Sequence, residues 1–101
     1  MDAHKHMSNY LKAPDITPEG QTMTVLKVVE EQVGRDQEKK LVVFFAENEK
    51  GLVMNKTNIQ FLIDTVGGET DEWVGEEVVV YNDPAITFGS KTTGGLRIKA
   101  P

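Results

Sequence analysis

The alternation of apolar and polar residues changes period along this chain, and the changes mark out its elements. Thr22 to Val33 is rich in Thr and Val and predicts a first strand. Met23 and Val25 share one face, and Val28 then falls on the other phase. A phase change inside one strand predicts a bulge or sharp coil, by which a strand serves two sides of a small barrel. Gly34 to Lys39 is polar and predicts a hairpin turn. In Lys40 to Ala46, the second strand, Leu41, Val43 and Phe45 alternate with Val42, Phe44 and Ala46. Both faces are apolar, so either the strand is covered on both sides or its second face is an outer surface open to a ligand.

Glu47 to Gly51 reads as a tight polar connection, and Leu52 with Met54 as the inward face of a short third strand. The period then becomes helical. Ile59, Leu62, Ile63 and Val66 stand at i, i+3, i+4 and i+7, one stripe of a helix over Asn55–Val66. Asn55 or Thr57 can cap its first turn, and Gly67 ends it. Burial of the stripe contributes about 1.5–3 kcal/mol per side chain before entropy, which makes the helix a lid on the core. Trp73 follows directly and is expected to seal the end of that core. Glu76 to Tyr81 alternates again, with Val78 and Val80 inward and Val79 and Tyr81 outward. Asn82-Asp83-Pro84 interrupts it, and Ile86 to Phe88 resumes extended structure. Leu96 to Lys99 closes the chain, with Leu96 and Ile98 inward and Arg97 and Lys99 outward.

Three strands, a helix and two more strands, the fourth broken near Pro84, predict an all-β fold with one helix. The specific expectation is a five-stranded OB-fold-like Greek-key barrel, with the helix between strands 3 and 4. Residues 1–20 lack periodicity and are broken by Pro14, Pro18 and Gly20, so they read as an N-terminal arm, with residues 21–101 as the barrel domain. Tyr10 and Leu11 are the residues able to pin the arm to the body. His6-Met7 matches the remnant of a common cloning site, and Met7-Ser8-Asn9 reads as a native start, so residues 1–6 are either a leader or part of the arm.

Composition narrows the function classes. At 101 residues and 39% hydrophobic, the chain supports one core. It has no cysteine, and its two histidines, His4 and His6, lie near the N-terminus, so no metal or other cofactor is expected. No nucleophile and base are joined by spacing, and no Gly-rich phosphate loop occurs, which points away from an enzyme. No signal segment or membrane span is present, and the expected location is the cytoplasm of a bacterial host cell. The net charge is −5, unevenly distributed. Asp64 to Asp83 carries seven acids and no base, whereas Pro84 to Pro101 carries three bases, Lys91, Arg97 and Lys99, and no acid.

Tyr10-Leu11-Lys12-Ala13, Lys50-Gly51-Leu52-Val53-Met54-Asn55-Lys56-Thr57-Asn58, and Asp71-Glu72-Trp73-Val74-Gly75 leading into Val78-Val79-Val80-Tyr81 resemble a family of small proteins of bacteriophages and prophages. The resemblance runs from Tyr10 to Pro101 and implies an OB-like phage protein with no established reaction. The family pattern often has a basic residue after the Trp-x-Gly step, where this chain has Glu76 and Glu77.

The expected function is single-stranded DNA or RNA binding on the outer face of strands 2 and 3. Val42, Phe44 and Tyr81 would offer stacking and apolar contact, and Lys27, Lys40, Lys50, Lys91, Arg97 and Lys99 would meet phosphates. The alternative is a protein-interaction or assembly module, in which the apolar face of the second strand meets another copy or a phage or host protein.

Overall fold

The computed structural model describes residues 10–33, 37–88, 91–92 and 95–101, so the expectations placed on residues 1–9, 34–36, 89–90 and 93–94 lie outside it. β1 (Gln21–Val33), β2 (Glu38–Phe45), β3 (Asn48–Val53), β4 (Glu77–Asp83) and β7 (Gly95–Lys99) form one antiparallel sheet in the order β3-β2-β1-β4-β7. β5 (Thr87–Phe88) and β6 (Lys91–Thr92) make a separate two-stranded ladder in the connection from β4 to β7. The fourth strand returns beside the first, as in a Greek key. The expected barrel closure is not made: β3 and β7 are the outer strands of an open sheet.

β1 holds the two halves together. Gln21 to Thr24 pair with β4, whereas Val25 to Val33 pair with β2. The phase change read from Met23, Val25 and Val28 is a register shift between Val25 and Lys27, which leaves Leu26 as the extra residue and 55% exposed. Val25 is clamped on its other side by a turn. Val74 (φ −65°, ψ 129°) and Gly75 (φ +91°) have type II turn geometry, closed by the Glu76 N–H on the Trp73 carbonyl at 3.1 Å. The Gly75 N–H then donates to the Val25 carbonyl at 2.8 Å, and the Val25 N–H to the Glu76 carbonyl at 2.9 Å. Two residues thus face one, a second bulge opposite the first, and the positive φ at Gly75 makes it possible.

The β2–β3 hairpin turns at Ala46-Glu47, shorter than the expected Glu47–Gly51 connection, because Asn48, Glu49 and Lys50 extend β3 instead. Charged residues are tolerated there because β3 is an edge strand.

The helix α1 (Lys56–Thr65) is capped by Asn55, whose Oδ1 accepts the Asn58 N–H at 2.8 Å. The stripe it buries differs from the expected one by a small rotation. Leu62 is buried with Asn58, while Ile59, Phe61 and Val66 pack at the margin and Ile63 remains 40% exposed. Apolar spacing alone put the stripe centre toward Ile63; the buried asparagine moves it back by a fraction of a turn. Trp73 is 1% exposed in the core, and its Nε1–H donates to the Gly67 carbonyl at 2.8 Å, tying the end of α1 to the turn that clamps β1.

From residue 10 onward, the stretch expected as an arm is part of the packed domain. Leu11 and Ile16 belong to the core. Asn82 holds the segment around Ile16, its Nδ2 donating to the Ala13 carbonyl at 2.9 Å and its N–H to the Thr17 carbonyl at 3.1 Å. No helix among the described residues is long and apolar enough to cross a membrane.

Asn58 is the buried polar side chain of the described core, 1% exposed. Its Nδ2 donates to the Leu96 carbonyl at 3.2 Å and its Oδ1 accepts the Ile98 N–H at 3.3 Å. These two β7 groups point away from β4, so the carboxamide takes the place of a neighbouring strand. Asn58→Ala leaves both buried groups unpaired and is expected to cost about 2–4 kcal/mol, measured as a lower urea midpoint with an unchanged slope.

Candidate functional site

By register, the outer face of the sheet carries Lys27, Val29 and Glu31 from β1, Lys40, Val42 and Phe44 from β2, and Val53 with Gly51 from β3. On the other half it carries Thr22 from β1, Val79 and Tyr81 from β4, and Arg97 and Lys99 from β7. In the middle of the core, the space between Val25, Phe45, Leu62 and Ile98 is too small for a water molecule.

Two aromatic steps stand on this face. The Lys27 ammonium lies 4.9 Å above the centroid of half-buried Phe44, and the Lys99 ammonium 4.8 Å above that of half-buried Tyr81. Arg97 is directly opposite Tyr81 and Lys99 opposite Val79, so Lys99 reaches its ring along the diagonal. The steps are separated along β1. Phe44 is paired with Lys27, whereas Tyr81 lies one position beyond the Gln21–Val80 pair, a span of about 20 Å at strand rise.

The remaining expected site residues are distributed unevenly. Val42 is fully buried, 0% exposed, and is therefore closed to a ligand. This corrects the expectation of an open apolar strip on β2. On its β3 side Val42 packs over Gly51, where a Cβ would lie 2.7 Å from Val42 Cγ1 and 2.9 Å from Phe44 Cε1, so these side chains fill the space that glycine leaves. The Lys40 ammonium is 3.7 Å from Glu38 and the Lys50 ammonium 3.5 Å from Asp15, so each meets a carboxylate of the chain. Lys91 lies in β6, outside the five-stranded sheet. The structure brings Lys27 to Phe44, and Arg97 and Lys99 to Tyr81, but it does not join the two groups into one groove.

Tyr10 pins the N-terminal segment to the body, as expected, and it does so through Glu31 and Gly51, to which the sequence assigned no such role. Tyr10 forms a parallel bridge with Gly51, and its hydroxyl donates to Glu31 Oε1 at 2.9 Å. Burial, and then the Glu31 carboxylate, push the phenol pKa up. A glycine inside a strand is a sequence signal for close approach; nothing local signals a tyrosine reaching a glutamate 21 positions away.

At the entrance of the chain, Asp15 Oδ2 accepts the Lys12 N–H at 2.9 Å. That bond first, and the Lys50 ammonium second, hold its carboxyl below the usual carboxylate range. Glu47 is also held low, first by the Thr24 N–H at 2.7 Å and then by the Thr24 hydroxyl at 2.9 Å.

No protein family, curated protein or solved structure matches the chain.

The lowered Asp15 pKa has a definite sign in the pH dependence of stability. A carboxyl with a folded pKa below its unfolded value stabilises above the unfolded pKa, about 3.9, and loses that contribution as pH falls through the folded one. Asp15→Asn is expected to flatten the decline of the urea midpoint below about pH 4, measured against the wild type across the acid limb.

Proposed function

We propose that this protein is a single-stranded nucleic-acid-binding module of OB-like architecture, which meets its ligand on the outer face of the sheet. The strand order supports the architecture. An OB-fold is a partly open five-stranded Greek-key barrel that binds through the face of strands 2 and 3 and the loops after strands 1 and 4. Here the sheet runs β3-β2-β1-β4-β7, opens between β3 and β7, and carries its β5–β6 ladder in the connection after β4.

The observation that carries the ligand is the repeated placement of an ammonium over an outward aromatic ring, Lys27 on Phe44 and Lys99 on Tyr81. An exposed cation–π contact is worth about 0.5–1 kcal/mol, whereas a base stacked on an aromatic is worth about 1–3 kcal/mol. A base therefore wins the ring, and the displaced lysine is already beside the phosphate that arrives with it. Tyr81 is the principal step, because Arg97 stands opposite it and no ion pair holds Arg97 or Lys99 among the described residues. The acidic balance of the chain, −5, keeps binding weak and reliant on stacking.

A protein-interaction module is the second reading, favoured by Leu26 at 55% and Val74 at 51% exposure. The bonds between Val25 and the Gly75-Glu76 pair set these aliphatics next to one another across the ladder. Self-assembly through them predicts association in sedimentation velocity at high concentration that Leu26→Asp abolishes; a wild-type monomer throughout rules it out.

For the first reading, fluorescence anisotropy with a labelled oligothymidine at two salt concentrations is decisive. Contacts by Lys27, Arg97 and Lys99 predict a log–log salt slope near −2, or about tenfold weaker binding for a threefold rise in salt. Tyr81→Ala is expected to weaken binding by about 1–3 kcal/mol. No binding at low salt, or binding without a salt slope, overturns the proposal.

A further inference from the structure

The outer face of β1, β2 and β3 already holds an aromatic side chain of the chain's own. Tyr10 is bridged to Gly51 on the free edge of β3, and the Leu11 N–H donates to the Gly51 carbonyl at 2.7 Å. The Tyr10 hydroxyl is bonded to Glu31 on β1. A backbone on β3 and a hydroxyl on β1 require the phenol to span β2. Glu31 shares the outer face with Val42 and Phe44, so that is the face it spans. The diagonal from Gly51 to Glu31 passes Val42, which is fully buried yet stands apart from the main core cluster.

We propose that Tyr10 is a displaceable cover, occupying beside Phe44 and Lys27 the position where a second base of the ligand stacks. This rests on the nucleic-acid reading of the same face. Displacement leaves the fold intact, because Leu11, the next residue, is anchored in the core and stays there. Rotation of the Tyr10 side chain breaks one hydroxyl bond and uncovers Val42. The released Glu31 carboxylate faces Lys40, its directly opposite neighbour on β2, whose ammonium at 3.7 Å from Glu38 is close enough to the surface to turn toward it. The protein then presents two stages of affinity: a weak one through Tyr81 alone and a tighter one once the cover is open.

The test compares wild type, Tyr10→Ala and Tyr10→Phe in anisotropy titrations with fluorescein-labelled oligothymidine at low salt. Tyr10→Ala, which removes the cover, is expected to bind about tenfold tighter, and Tyr10→Phe, which keeps the ring but loses the hydroxyl bond, about threefold tighter. In wild type, the Val42 methyl resonances are expected to shift as oligonucleotide is added. Equal or weaker binding by Tyr10→Ala, or Val42 methyls that stay unmoved at saturation, overturns the cover and leaves the nucleic-acid reading standing. No binding by any of the three proteins removes both.

Discussion

The Asn58 carboxamide bridges the place where this sheet does not close. Five strands in the order β3-β2-β1-β4-β7 leave two edges, and an edge exposes a row of unpaired N–H and carbonyl groups. On β7 the Leu96 carbonyl and the Ile98 N–H, which face away from β4, are taken by Asn58, at the start of α1. On β3 the Gly51 carbonyl is taken by Leu11, at the entrance of the chain. The helix and the N-terminal segment therefore do for the two edges what barrel closure would have done. Because Asn55 caps the helix through the N–H of Asn58 itself, helix start and edge protection are one construction.

The inner and outer faces of the sheet follow from the coil of β1. Val25 is the pivot: the bulge at Leu26 turns the strand from β4 to β2, and the Val74-Gly75 turn clamps it from the other side. Each bulge pushes one aliphatic outward, which is why Leu26 and Val74 are exposed. The same coil separates the Phe44 and Tyr81 steps, so a flexible strand would have to follow the curve of β1 to touch both.

The two steps differ in how the rest of the chain treats them. Around Phe44, the apolar neighbour Val42 is sealed and Lys40 and Lys50 meet carboxylates. Around Tyr81, the Lys99 ammonium lies over the ring and Arg97 stands opposite on β7. Acids still flank this step along its own strand, because Glu77 opens β4 and Asp83 ends it.

Read by itself, the sequence determined the local elements, because periodicity, caps and turn residues act over a few positions. The strands around Val43, Val78 and Ile98, the Asn55 cap, the stop at Gly67, the phase change after Val25 and the burial of Trp73 were all legible in it. What joins distant segments was not. Leu11 and Ile16 sit in a stretch broken by prolines, with no period to reveal that they enter the core. Asn58 carries no local signal of burial, and its partners lie 38 and 40 positions away. Val42 and Phe44 alternate like a surface strip, yet whether such a strip is open depends on what crosses it. Here Tyr10 reaches from the edge of β3 to Glu31 on β1. Hydrophobic patterning says which side chains share a face; only tertiary packing decides whether that face is core, covered or free.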